Sequence, residues 1–297
     1  MAVTKTGKVL LAIDGSIAAD RAAAYVARNA AALGIRAVNI LNVQDVPSYC
    51  THAEPGSPIP LDVIEFSTKV TAKTRRLLDT ANVGHRLHTQ LGEPADKIVH
   101  AAAADGVGEI VMGSRGLSQL AGAVLGSVAY KVIHRTSLPI TLVCDRGDEA
   151  KAAPAGARDV HRVLLAVDRS DSARRAIDYV CNLARRGAQL EVEVLNVPRP
   201  VPALCFENQT MADSYYREQG EAVVGGINEA LRDAGLYSNV HIEPGDAAAT
   251  IVNVAERRNC TRIVMGTRGL GSIGNLVLGS VAYKVLQLAA IPVTLVR

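Results

Sequence analysis

Residues 111–143, VMGSRGLSQLAGAVLGSVAYKVIHRTSLPITLV, and residues 264–296, VMGTRGLGSIGNLVLGSVAYKVLQLAAIPVTLV, are two versions of one segment. Aligned without a gap, 19 of the 33 positions are identical. A chain of 297 residues that repeats itself about half its length apart reads as two units of one design. Each core must then close within about 150 residues, an ordinary domain size. The repeat also extends upstream, where KVLLAIDGSIAADRAAAYVARNAAALG (8–34) is answered by RVLLAVDRSDSARRAIDYVCNLARRG (162–187).

In both halves a short apolar run leads to an aspartate, Asp14 or Asp168, and then to an Ala-rich stretch with helical periodicity ending at Gly34 or Gly187. That order predicts strand, turn and helix with a glycine C-cap. β-branched runs at 38–43 and 192–197 predict second strands, followed by Pro-bearing loops at 47–60 and 198–208. One long amphipathic helix is expected near 61–81 and another near 211–234, with short strands near 85–90 and 238–243. Helices at 92–106 and 245–259 precede EIVMG and RIVMG. A fourth helix opens after Gly126 or Gly279, and PITLV or PVTLV closes each half as a fifth strand. Alternating strands and helices predict an α/β fold with a parallel sheet and right-handed crossovers. The segment 145–161 is charged, bears Ala, Gly and Pro, and has no periodicity. It is read as a linker, with domains at 1–151 and 152–297.

Composition agrees with a buried parallel sheet. Hydrophobic residues make up 48 % of the chain but aromatics only 3 %, with no Trp, so the core must be Val, Ile, Leu and Ala. The 32 basic and 29 acidic residues leave a net charge of +3, too even to indicate a nucleic-acid binder. Two Phe and no Trp also leave little for a base-stacking platform. The five Cys form no C-x-x-C pair and read as buried small side chains in a reducing compartment. No apolar run approaches the ~18 residues of a membrane span, and MAVTKTGKVLLAIDGS lacks a secretory pattern, so a cytoplasmic location is expected.

Both halves share Gly, two residues, Gly, nine residues, Gly-Ser: Gly113, Gly116, Gly126 and Ser127, then Gly266, Gly269, Gly279 and Ser280. The first glycine lies just past the C-terminal end of a strand, the edge where open α/β sheets bind ligands. Glycines there let backbone N–H groups approach an anion, and the Gly-Ser opens a helix whose N-terminus favours one. A loop and a helix start joined by nine residues fit a polyphosphate. The same residues are also compatible with a purely structural loop and cap. No G-x-x-x-x-G-K-[ST] loop occurs, and the G-x-G-x-x-G match at 269–274 sits after the wrong strand and has no partner at 116–121.

With these residues in hand, nearly the whole chain resembles the universal stress protein family in its tandem two-domain form. The resemblance implies two flavodoxin-like or adenine-nucleotide α-hydrolase-like sandwiches with strand order 3-2-1-4-5. It places the glycine motif in the ATP-binding branch. It implies that Ala12, Ile13 and Asp14 lie by the adenosine, with Asp14 on the ribose, and that Val43 meets the adenine. Met112 and Gly113 line the site. Ser114, Arg115 and Gly116 approach the phosphates, as do Gly126, Ser127, Val128 and Ala129. In the second half these roles fall to Ala166, Val167, Asp168 and Val197, to Met265, Gly266, Thr267, Arg268 and Gly269, and to Gly279, Ser280, Val281 and Ala282. Two nucleotides per chain are expected. Arg169, where the first half has Gly15, is a reason for the two sites to differ. The resemblance also implies an intramolecular pseudo-dimer through the last strands, 140–143 and 293–296. Association into a homodimer is left open.

No catalytic residue is assigned. No His occupies matching motif positions, His134 being answered by Gln287, and His85 and His88 read as partly exposed strand residues. Tyr130-Lys131 and Tyr283-Lys284 read as core Tyr beside solvated Lys. Three functional readings remain: an ATP-binding regulatory protein; a slow ATPase or self-phosphorylating enzyme using Mg²⁺ at Asp14 or Asp168; and an interaction scaffold with structural glycine loops. The inducing condition and any regulatory protein partner are not legible.

Overall fold

The computed structural model describes residues 7–44, 59–117, 125–144, 161–269 and 278–297. The chain divides into two units, Met1–Asp145 and Arg146–Arg297. The assigned boundary near residue 152 and most of the 47–60 loop lie outside the described residues.

The first unit runs β1 (Lys8–Ala12), α1 (Ile17–Asn29), β2 (Ala37–Gln44), α2 (Leu61–Val70), α3 (Ala72–Thr80), β3 (Gly84–Leu91), α4 (Pro94–Ala104), β4 (Glu109–Gly113), α5 (Ser127–Arg135) and β5 (Ile140–Val143). The second runs β6 (His161–Val167), α6 (Asp171–Arg185), β7 (Leu190–Asn196), α7 (Gln209–Val224), α8 (Ile227–Asp233), β8 (Ser238–Ile242), α9 (Ala247–Arg257), β9 (Arg262–Gly266), α10 (Ser280–Leu288) and β10 (Val293–Val296). In the first unit β2 lies between β3 and β1, and β4 between β1 and β5, all parallel. In the second, β7 lies between β8 and β6, and β9 between β6 and β10, again all parallel. Each unit therefore has the order 3-2-1-4-5, an α/β fold with the expected topology.

Alternation along the strands sends side chains to two helical layers. In the second unit Val163, Leu165, Val167, Val192, Val194 and Val264 pack against the apolar face of α6 and α8. Leu164, Ile263 and Leu295 are also buried and point the other way. α1 shows why the Ala-rich stretch is a helix: Ala18, Ala19, Ala22, Ala23 and Val26 form one buried stripe. Ala lets helix and sheet approach closely without loss of helix propensity.

Several helices end on a left-handed residue. The N–H groups of Gly187 and Ala188 return to Ala184 O and Leu183 O at 2.8 and 3.1 Å, a Schellman motif at the end of α6. Gly34 and Ile35 close the extra turn after α1 in the same way. Two such turns exchange residues between the halves. Asn82 (φ 54°) answers Gly235 (φ 79°), and Gly106 (φ 61°) answers Asn259 (φ 51°). These left-handed positions accept the two residue types that adopt that conformation most readily.

The long helices expected near 61–81 and 211–234 are each broken in two. Thr71 ends α2 and begins α3, and its Oγ1 donates to Ser67 O at 2.8 Å, a back-bond that bends helices. In the second unit Gly225-Gly226 makes the break between α7 and α8.

Candidate functional site

The C-terminal ends of β1 and β4 carry the residues singled out from sequence. Past β1 the ladder continues for one bond, Ile13 N–H to Leu41 O at 2.9 Å. The buried Asn42 amide donates to Ile13 O at 2.7 Å. Asp14 Oδ1 accepts from Ser16 N–H at 2.9 Å, and Ser16 Oγ caps α1 by accepting from Ala19 N–H. The second unit repeats this. Asn196 donates to Val167 O at 2.9 Å, Asp168 Oδ1 accepts from Ser170 N–H at 2.9 Å, and Ser170 Oγ caps α6. Both carboxylates are thus fixed by the helix start that follows them. Sequence reasoning did not single out Asn42 or Asn196. The signal was present in Leu-Asn-Val at 41–43 and again at 195–197, because a buried strand amide requires a partner.

The loop leaving β4 is tied back on itself. Ser114 N–H donates to Val143 O at 2.9 Å, and Gly126 N–H donates to Ser114 O at 2.8 Å. In the second unit Thr267 N–H donates to Val296 O and Gly279 N–H to Thr267 O, at 2.9 and 2.7 Å. These bonds bring the loop against the helix start although residues 118–124 and 270–277 between them lie outside the described residues. The motif glycines have separate reasons. A Cβ on Gly113 would meet Ala18 Cβ at 2.7 Å, so this glycine lets β4 touch α1. A Cβ on Gly116 would lie 2.7 Å from Asp14 Oδ2, and one on Gly269 2.8 Å from Asp168 Oδ2. The carboxylate of one loop therefore stands directly against the glycine of the other. A Cβ on Gly126 would approach Arg115 Cα at 3.3 Å.

The helix that follows starts without a side-chain cap, as α2, α3 and α8 also do. Gly126 and Gly279 are the N-caps of α5 and α10, Ser127 and Ser280 are the first helical residues, and neither cap offers a side-chain acceptor. The helices α1, α4, α6 and α9 are capped by Ser16, Glu93, Ser170 and Asp246 side chains. The first three N–H groups of a helix have no intrahelical acceptor, so those of residues 127–129 and 280–282 depend on another partner. They carry the positive end of the helix dipole, and Arg115 or Arg268 stands on the facing loop. Thr267 Oγ1 is buried and has no hydrogen-bond partner among the described residues. Donors and one carboxylate held at a glycine-lined edge suit an anionic ligand that also bears hydroxyls.

The structure thus gathers Ile13, Asp14, Gly113, Ser114, Arg115, Gly116 and Gly126 in one unit, and Val167, Asp168, Gly266, Thr267, Arg268, Gly269 and Gly279 in the other. Ala12 and Met112 are register partners at the strand ends, as are Ala166 and Met265. Ser127 and Ser280 are exposed, while Ala129 and Ala282 are buried beneath the helix start. Val43 pairs with Gln90 further along β2, and Val197 follows the last residue of β7. The halves differ at the turn after the aspartate, where Gly15 takes φ 86° and the exposed Arg169 does not take a positive φ.

Other candidates resolve differently. Lys131 Nζ bonds Glu93 Oε1 at 2.7 Å, and Lys284 Nζ lies 3.8 Å from Asp246 Oδ2, so both lysines are paired with helix caps. Lys131, Asp96 N–H and Arg135 hold the Glu93 carboxyl below its ordinary range, against the opposing effect of burial. Tyr130 and Tyr283 are not core residues but half exposed, at 50 % and 43 %, and Tyr130 stacks on His134. Cys144, Cys181 and Cys260 are buried as expected, Cys205 is exposed, and Cys50 lies outside the described residues. Burial, reinforced by Glu193, pushes the Cys260 thiol up to about 12, which leaves it protonated and unreactive. Among the described residues no helix is long and apolar enough to cross a membrane.

The model of the universal stress protein family matches the chain twice, over residues 5–143 and 159–297. A universal stress protein of Mycolicibacterium smegmatis is 25 % identical over 309 aligned residues, covering 97 % of this chain and 96 % of its own. A universal stress protein of Thermus aquaticus is 34 % identical over 139 residues, 46 % of this chain and 96 % of its own. Among solved structures, a universal stress protein from Archaeoglobus fulgidus aligns with 100 % of this chain and 98 % of its own, at TM-score 0.67 and 23 % identity.

Proposed function

The chain belongs to the universal stress protein family, and from that premise we propose that each of its units binds one adenine nucleotide, preferentially ATP, as a regulatory signal. The observation that carries the reading is the contact between two loops at the sheet edge. The Asp14 carboxylate stands against Gly116, beside a helix start whose cap offers no side chain, and the second unit repeats the arrangement. In this reading Asp14 and Asp168 accept from ribose hydroxyls, with the base toward Val43 or Val197. The amides of residues 127–129 and 280–282, with Arg115 and Arg268, receive the phosphates. The orphaned Thr267 Oγ1 supports the reading in the second unit.

Among the described residues no group of three or more His, Cys, Asp or Glu side chains is arranged to hold a metal ion. Mg²⁺ bound together with the nucleotide would supply positive charge to the phosphates. Occupancy then acts through the conformation of the loops, within the cytoplasm, on a partner that recognises them.

Gly116→Val tests this directly, because its new Cβ displaces the Asp14 carboxylate. Equilibrium dialysis with Mg-ATP is expected to fall from two nucleotides per chain to one in Gly116→Val or Gly269→Val, and to none in the double variant. Unchanged binding by the double variant would overturn the proposal.

A further inference from the structure

The loop that leaves β9 is restrained by two hydroxyls, one of which has no counterpart in the first unit. Ser172 is 2 % exposed, and its Oγ donates to the carbonyl of Arg268. Ser170 Oγ donates to the same carbonyl at 3.2 Å while accepting from Ala173 N–H at 3.1 Å. The two hydroxyl oxygens are 3.2 Å apart. A carbonyl oxygen has two lone pairs, so it can accept both bonds. Ser172 fits because Gly266 has no side chain: a Cβ there would lie 2.4 Å from Ser172 Oγ. In the first unit the equivalent residue is Ala18, whose methyl faces Gly113 and supplies no donor.

The anchor is firm. α6 is 15 residues long and buries Ala173, Ala176, Tyr179, Val180 and Leu183 in the core. Arg268 immediately precedes Gly269, so fixing its carbonyl fixes the peptide plane that carries the Gly269 nitrogen. A loop already held in shape gives up less freedom when a ligand orders it. Arg169 adds an exposed cation beside Asp168 where the first unit has Gly15.

We infer that Ser172 is a positioning residue that makes the second nucleotide site the tighter of the two. This rests on the nucleotide reading above and extends it. The second site fills at low nucleotide concentration and the first only as the concentration rises, so the chain reads nucleotide level in two steps.

Full-length chains with one site blocked separate the two. Gly116→Val leaves the second site and Gly269→Val leaves the first, each titrated with Mg-ATP by calorimetry. The second site is expected to bind more tightly. Ser172→Ala in the Gly116→Val chain weakens it by roughly threefold to tenfold, the worth of one hydrogen bond. Ala18→Ser in the Gly269→Val chain tightens the first site by a similar factor. A serine with only a structural role would not transfer affinity to the other unit, and this graft remains readable if Ser172→Ala fails to fold. Equal affinities in the two parents, or no gain from Ala18→Ser, overturn the inference while leaving two nucleotide sites in place. Absence of binding in both parents overturns the nucleotide reading itself.

Discussion

His161 shows how strongly a single position is committed by its surroundings. It is 2 % exposed at the start of β6, and Thr261 Oγ1 lies 3.0 Å from its Nδ1. Burial, with the Arg262 guanidinium nearby, pushes its pKa down to about 3 from the ordinary 6.5. The unfolded chain takes up a proton near pH 6.5, whereas the folded chain does so only near 3. Between those values the unfolded state binds more protons, so stability from this group is complete above about pH 6.5 and declines as pH falls toward 3. His161→Gln stays neutral throughout. In urea unfolding from pH 7.5 to 4, the variant is expected to gain on the native chain as pH falls, and a constant difference would show that His161 is not held neutral. Nothing in the sequence marks this residue, because the first unit has Gly7 at the equivalent position. Asn42 and Asn196 are also inconspicuous in the sequence, but for a different reason. They sit in strands that read as apolar, and their importance lies in a carbonyl 29 residues away.

At the scale of elements, the strands and helices were legible because hydrophobic periodicity and glycine positions agree in both halves. The breaks at Thr71 and Gly225-Gly226 were not, because apolar spacing continues across them while a local back-bond or glycine pair bends the axis. The helix termini give a quantitative expectation. Gly235 occupies a left-handed position that Asn82 fills in the first unit. Gly235→Asn should leave the urea midpoint nearly unchanged, whereas Gly235→Val should destabilise by about 1–2 kcal/mol. Equal effects of the two substitutions would mean that backbone conformation is not what selects the residue. The Gly-Ser pairs follow the same logic of termini. Sequence places them at a helix start, but only the structure assigns the cap to glycine and leaves the first turn without a side-chain acceptor.

At the scale of the molecule, duplication is both what made the chain readable and what limited the reading. Comparing the halves exposed the motif, the strand order through its family resemblance, and the change from Gly15 to Arg169. It did not expose Ser172, because an Ala-to-Ser exchange in a helix start carries no message until its hydroxyl is seen on the Arg268 carbonyl. The duplicated edge, an aspartate facing a glycine beside a helix start capped by glycine without a side-chain acceptor, is the basis for assigning a nucleotide to each unit. The direct test is calorimetric titration of the purified, nucleotide-stripped chain with Mg-ATP. Two nucleotides per chain, with the heats resolving into a tighter and a weaker site, is the predicted result. No binding, confirmed by equilibrium dialysis, would contradict the account and leave the glycine loops with a structural role alone.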